Sequence, residues 1–533
     1  MINDLFCSGM KGAFDFYITN YFKSAQFFAK LIFSILLCTT TIGVYAQEKK
    51  EKIKLEHADS LVFDDVVSIA RRLKGNVVFS QGEVKLYCDS AYFYDATNVV
   101  DAYENVRIVK NNDLNLTGKF LHYDGDSKLA TITNNVRMTD NKMVLTTEAL
   151  DYNMNTETGF YNNGATIVDK DNTLTSQFGY YFSNTKMLSF KKNVVLVNPR
   201  YRLTGDTLMY NTTTHTATFV GPTYIKSSGR DATFIYCESG WYNTDTDKSF
   251  FRKNSFIQSK EQKLFGDSLR YDKKAGTGEA FGNVMISDSL QKTIIAGDYG
   301  KYNEISGQTF VTGRSQLIQI FDSDSLFMHA DTLFAKSDTS GKQKTYFAYH
   351  HVKFFKKDFQ GKCDSLTYST TDTLMRMFAL PVLWSDSNQI TGDSIHLQME
   401  NNKIARMYMY ESAFIVSYED TNRYNQIRGK NMIGYFENNE LHKINVEGNG
   451  QTIYYGRNNA KQLVGVNRAD CSDLVIHLDS SKVSKIILLN KPEATFYPID
   501  ELNTSELLLR GFKWRNKERP MKKEEIFLRE EGD

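Results

Sequence analysis

A 29-residue period dominates this chain. A tyrosine stands at Tyr94, Tyr123, Tyr152, Tyr181 and Tyr210, four successive intervals of 29 residues, followed by Asp or Asn at all but Tyr181. The series continues at Tyr242, Tyr271 and Tyr302, misses at Ala335 and returns at Tyr368. Five residues before each tyrosine lies a small or turn residue, among them Gly118, Ser176, Gly205, Cys237, Gly266, Gly297 and Cys363. Gly392, Gly429 and Ala469 carry the frame on at longer spacing. A unit this short cannot bury an apolar face by itself, so about thirteen of them must stack and share one elongated core.

The units read as strands. In Thr204-Gly205-Asp206-Thr207-Leu208-Met209-Tyr210-Asn211 and Phe265-Gly266-Asp267-Ser268-Leu269-Arg270-Tyr271-Asp272, the aliphatic residue and the tyrosine alternate with polar neighbours. That is the period of a strand with one buried face. A second strand fills the other half, as in Glu104-Asn105-Val106-Arg107-Ile108, Asn134-Asn135-Val136-Arg137-Met138 and Gly282-Asn283-Val284-Met285-Ile286. Asn and Gly tolerate left-handed backbone, so they are expected to form the turn before that strand. Each unit of 29 to 33 residues thus supplies about two strands. The expected architecture is all-β, an elongated repetitive sheet structure over residues 47–490, as one body or two in succession.

Composition agrees with this and removes some alternatives. Tyr (31) and Phe (36) are abundant, and Pro is rare at 6; aromatic enrichment favours strands. Lys and Arg total 64 against 63 acidic residues. With no basic excess to neutralise a phosphate backbone, nucleic acid is excluded as a partner.

Residues 1–46 read as a secretory signal peptide: Lys30, the apolar run Leu31–Cys38, and the small-residue site Val44-Tyr45-Ala46 before the polar Gln47-Glu48-Lys49-Lys50. The run is shorter than the roughly 20 residues of a spanning helix. Cleavage after Ala46 would place the chain in the periplasm with 61 basic and 61 acidic residues. The mature part keeps Cys88, Cys237, Cys363 and Cys471. They fall in units too far apart for the roughly 7 Å separation of a disulfide, so free thiols are expected. From Lys491-Pro492 onward the repeat stops, and 491–533 reads as a charged C-terminal tail.

Motifs that resemble chemistry dissolve into the repeat. Gly266-Asp267-Ser268-Leu269 spells a serine-hydrolase signature, yet the frame recurs as Gly205-Asp206-Thr207-Leu208 and Gly392-Asp393-Ser394-Ile395. A nucleophile needs a base and an orienter beside it, and a repeating tetrad is a turn into a strand. His350-His351 would point to opposite faces of a strand. Asp322-Ser323-Asp324-Ser325 and Asp245-Thr246-Asp247 lack the glycine and distal glutamate of a calcium loop. The expectation is a protein without catalysis, metal or cofactor.

The repeated Gly-Asp-x-Leu-x-Tyr-Asp and Gly-Asn-Val-x-Ile units resemble the LptA/OstA family over residues 55–490, most clearly at 75–124, 203–211 and 264–286. The resemblance implies a β-jellyroll open at both ends that carries lipopolysaccharide or lipooligosaccharide between the two membranes. It implies acyl chains in an apolar groove lined by Val106, Ile108, Val136, Met138, Val194, Leu196, Val284, Ile286, Val352 and Phe354. It also implies partners: other lipopolysaccharide-transport components with jellyroll domains, joined by edge-strand pairing, and head-to-tail copies of the chain. Core packing of the same ten side chains stands equally open. Two other readings fit a strand repeat. An outer-membrane barrel would need lipid-facing positions that are here Lys, Arg, Asn and Thr. A right-handed β-solenoid, structural or acting on polysaccharide, shares the repeat logic.

Overall fold

The computed structural model describes residues 51–529, apart from 64–69, 502–506 and several turns of one to four residues. The expected signal peptide and the Asp322-Ser323 pair lie outside the described residues. Among the described residues, 38 strands form one continuous hydrogen-bonded sheet. Neighbours pair antiparallel throughout, from Lys54–His57 on Arg71–Gln81 to Glu493–Pro498 on Leu463–Asp479. A right-handed solenoid stacks its strands in parallel, so that reading falls.

One unit shows how the sequence folds. The strand Val99–Lys110 pairs with Leu114–Asp124 in register from Val99↔Asp124 to Tyr103↔Phe120, then resumes at Val106↔Gly118. Glu104 and Asn105, at φ 55° and 47°, stand between. The Asn-containing pair is therefore a bulge inside one long strand, where a turn between two strands was expected. Two successive left-handed residues bend a strand sharply without ending it. Gly75-Asn76, Asn134-Asn135, Lys192-Asn193 and Gly282-Asn283 do the same. An acid on the neighbouring strand holds the Asn side chain: Asn105 donates to Asp89 at 2.8 Å, and Asn283 to Asp267 at 3.0 Å. Asp267 of the hydrolase-like tetrad is thus a corner brace. His350 and His351 (φ 62° and 53°) also form such a bulge, which corrects their expected place on a flat strand; they pair with Asp364 and Asp331.

The bend folds the sheet into two leaves. One leaf carries the tyrosine halves of the strands, the other the Val-x-Ile halves. In most units the Asn or Asp after the tyrosine caps a hairpin at the far edge of the first leaf. Asn153 Oδ1 accepts from the Asn155 and Thr156 amides, and Asn211 Oδ1 from those of Thr213 and Thr214. This side-chain mimic of a turn explains why Asn or Asp follows the tyrosine so regularly.

Apolar side chains of both leaves fill the space between them. One cluster runs from Ile53 to Val284 and a second from Met328 to Ile476. A third, with Phe414, Val416, Tyr455 and Val466, lies on the outer face of the second leaf and is covered by Leu507 and Leu509. Here the C-terminal segment acts as a strap. It runs back against the stacking direction, with Trp514 beside Tyr424, Glu518 on Lys362 at 2.5 Å, Phe527 against His329, and Arg529 on Asp331 at 2.6 Å. Two buried glutamines hold it by both ends of their amides. Gln426 donates to the Leu507 carbonyl and accepts from the Leu509 amide; Gln389 does so with Lys513 and Arg515.

Candidate functional site

The interior between the leaves has a polar rim along its open side. Strand alternation turns Val77, Phe79 and Gln81 inward together, so the third residue puts a polar group at the mouth. Gln81 accepts from the Tyr123 hydroxyl of the facing leaf at 2.5 Å and donates to the Gly125 carbonyl at 2.7 Å. One unit on, Lys110 meets Glu157 at 2.6 Å. Asp140 accepts from Tyr181 and from Ser183 at 2.8 Å, and pairs with Lys186 at 2.7 Å. Asp169 accepts from Tyr210 at 2.9 Å. Arg200 reaches Asp247 at 2.5 Å and the Thr244 carbonyl at 2.9 Å. Burial, with Asp140 and Asp169 adding to it, raises the Tyr181 and Tyr210 hydroxyls well above their ordinary range, so both remain donors. These clasps hold the two leaves together from Gln81 to Arg200.

Within the leaves, the ten residues proposed for the groove all face the interior. Val106, Ile108, Val136, Met138, Val194, Leu196 and Val284 belong to the first core cluster, and Val352 and Phe354 to the second. Ile286 is half-exposed and belongs to neither. Sequence reasoning found this inward row but missed the clasps. The signal was present: a polar residue five positions after the bulge Asn, at Gln81, Lys110, Asp140, Asn198 and Asp288, on a face otherwise apolar.

The four cysteines are free. Burial pushes the Cys88 and Cys237 thiols up to about 12, out of the range of a nucleophile or metal ligand at neutral pH. Among the described residues no group of His, Cys, Asp and Glu is arranged to hold a metal ion, and no helix is long and apolar enough to cross a membrane.

Two long leaves around one apolar interior, built by stacking antiparallel hairpin units, define the elongated β-jellyroll class. Two stretches of the chain match families of lipopolysaccharide-transport proteins, LptA/OstA-like in kind. Residues 50–206 match the family described as OstA-like protein, and residues 294–403 match the LptA/(LptD N-terminal domain) LPS transport protein family. Among solved structures, LptH of Pseudomonas aeruginosa, described as the LptA homologous periplasmic component of the conserved lipopolysaccharide transport device, is 17% identical. That match covers 19% of this chain and 75% of LptH, with a TM-score of 0.18. No curated protein matches the chain.

Proposed function

We infer that this protein is a periplasmic carrier that moves lipopolysaccharide or lipooligosaccharide from the inner to the outer membrane, holding its acyl chains in the interior between the leaves. The observation that carries the reading is the inward aliphatic row, Ile108 through Phe354, on a chain whose two matched segments both fall in these families. Each methylene removed from water gains about 0.8 kcal/mol, so an aliphatic slot retains lipid without any reacting group. Residues 1–46 serve export and 47–490 form the carrier body. The strands Lys54–His57 and Ser60–Phe63 at one end, and Lys482–Leu489 and Glu493–Pro498 at the other, close the sheet order. Their outer edges suit pairing with jellyroll partners or with another copy of the chain.

The test is to purify the exported chain from cells and extract it for lipid. Co-purifying lipopolysaccharide, with a protein N-terminus at Gln47, is the expected result. A chain that carries none and binds none of the purified lipid overturns the reading.

A further inference from the structure

The geometry points to one lateral window through which acyl chains reach the interior, between the strands Thr233–Asn243 and Gln316–Ile320, with the remaining length shut by its own side chains. This rests on the carrier reading above and narrows it to a stated stretch of the chain. One aliphatic row runs through the second leaf by direct cross-strand pairing: Ile225↔Ile235↔Ile257↔Leu264↔Ile286↔Ile295↔Leu317↔Met328. Ile225 and Met328 are buried, as are Leu174, Leu196 and Leu203 earlier in the row. The six residues from Ile235 to Leu317 are all only partly buried, packed at the border of the two core clusters and in neither. At a strand spacing of about 4.8 Å, they open a slot about 24 Å long.

Three independent features coincide there. The facing wall thins: its row reads Phe219, Gly240, Phe251, Leu269, Ala280, Gly300, so aromatic filler gives way to a methyl group and then to none. Beyond Arg200 the described rim carboxylate hydrogen-bonds within its own leaf. Asp288, the counterpart of Gln81 and Asp140, makes its hydrogen bonds there, accepting from Gln262 at 2.9 Å and from the Gln291 amide, and Lys344 of the facing leaf acts on it only through its charge. Finally, Ser255 stands where other units have Val106, Val136, Val194, Val284 and Val352. Its hydroxyl is fully buried without a hydrogen-bond partner. On the far side, the leaf is braced from outside by the strap, which reaches His329.

The slot's chemistry selects its occupant. A helix is about 10–12 Å across and cannot enter between leaves that pack about 10 Å apart. An extended peptide would bring backbone amides to a wall whose own are already paired within the sheet. A methylene chain needs neither width nor partners, and the Ser255 hydroxyl can donate to an oxygen it carries.

The experiment uses the full chain with photo-leucine, which is close in shape to leucine, and purified lipopolysaccharide as the probe. Irradiated adducts mapped by mass spectrometry are expected at Leu264 and Leu317, and about ten-fold less often at Leu116, Leu145, Leu174 and Leu196. Even labelling across the two sets, labelling of the second alone, or binding without adducts overturns the window while leaving the carrier reading intact. A chain that binds no lipopolysaccharide fails both. In parallel, Ala280→Phe fills the slot from the facing wall and should weaken binding about ten-fold or more. Ile295→Trp, at a half-exposed position, is the second filler, and circular dichroism confirms that each variant is folded. Unchanged binding in the folded variants overturns the proposal.

Discussion

Tyr210 and Asp169 stand 41 positions apart in the chain, yet the tyrosine hydroxyl donates to the carboxylate at 2.9 Å across the mouth of the jellyroll. The bond joins the two leaves, and Asn172 donates to the same hydroxyl at 3.1 Å. Tyr210→Phe keeps the ring in the core and removes the oxygen. A buried hydrogen bond to a charged group contributes about 1.5–3 kcal/mol, so a loss of that order is expected in urea or guanidinium unfolding. An unchanged midpoint would show that the clasp does not hold the leaves.

The corner at Asn283 makes a second prediction. Its φ of 47° is left-handed, and its side chain donates to Asp267. Asn283→Val should cost about 1–3 kcal/mol, since a β-branched residue is strained there and the brace is lost. Asn283→Gly loses the brace but relieves the strain and should fall well short of that cost. Equal destabilisation by both would mean that the backbone conformation is not the cause.

The strap should come away when its glutamine grips are cut. Gln389→Ala leaves the Lys513 carbonyl and the Arg515 amide without their partner. Such a loss costs about 1–3 kcal/mol. Ile526→Ala, at a fully buried side chain, should cost about 2–5 kcal/mol. Limited proteolysis between Leu507 and Arg529 should accelerate in both variants; resistance equal to wild type would refute the docking.

Acid should loosen the same end of the strap. Burial holds the His329 imidazole below its ordinary 6.5, beside Phe527. The unfolded chain therefore binds the proton first. The stability tied to a neutral His329 is fully present above pH 6.5 and is lost as pH falls from there through the folded value. The Tm should drop between pH 7.5 and 5.5, and His329→Phe should drop less. Identical pH curves for the two proteins would remove His329 as the source.

Thiol reactivity checks the cysteines. Burial raises Cys88, Cys237 and Cys363, and to a lesser depth Cys471. Iodoacetamide at pH 8 should modify all four only slowly in the native chain and rapidly in denaturant. Reducing agent should leave the Tm unchanged. Fast native alkylation of Cys88, or a Tm that falls on reduction, would contradict the free, buried thiols.

Much of the architecture can be read in the residues themselves. The 29-residue period, the alternation of Leu208 with Tyr210 and of Val284 with Ile286, and the Asn or Asp after most of the tyrosines are properties of neighbouring positions. Local backbone preference and a period of two express them directly, so strand identity, inward face and stacked units follow from the sequence by itself. It also marked the Asn and Gly of the bulges as left-handed, but not Glu104, Lys192 or the His350-His351 pair. Whether Glu104-Asn105 ends a strand or bends one was decided by register, because Val106 resumes pairing with the same partner strand that Tyr103 left. The partners of Gln81, Lys110 and Asp140 were decided by tertiary structure alone. Those on the facing leaf lie more than 40 positions away, and an inward polar residue looks the same in sequence whether it clasps a facing leaf or hydrogen-bonds along its own, as Asp288 does. The strap is a sharper case: Gln389 meets Lys513 and Arg515, 124 and 126 positions on. No repeat predicts that contact, because the segment that makes it stands outside the repeat and is placed by the apolar outer face it covers.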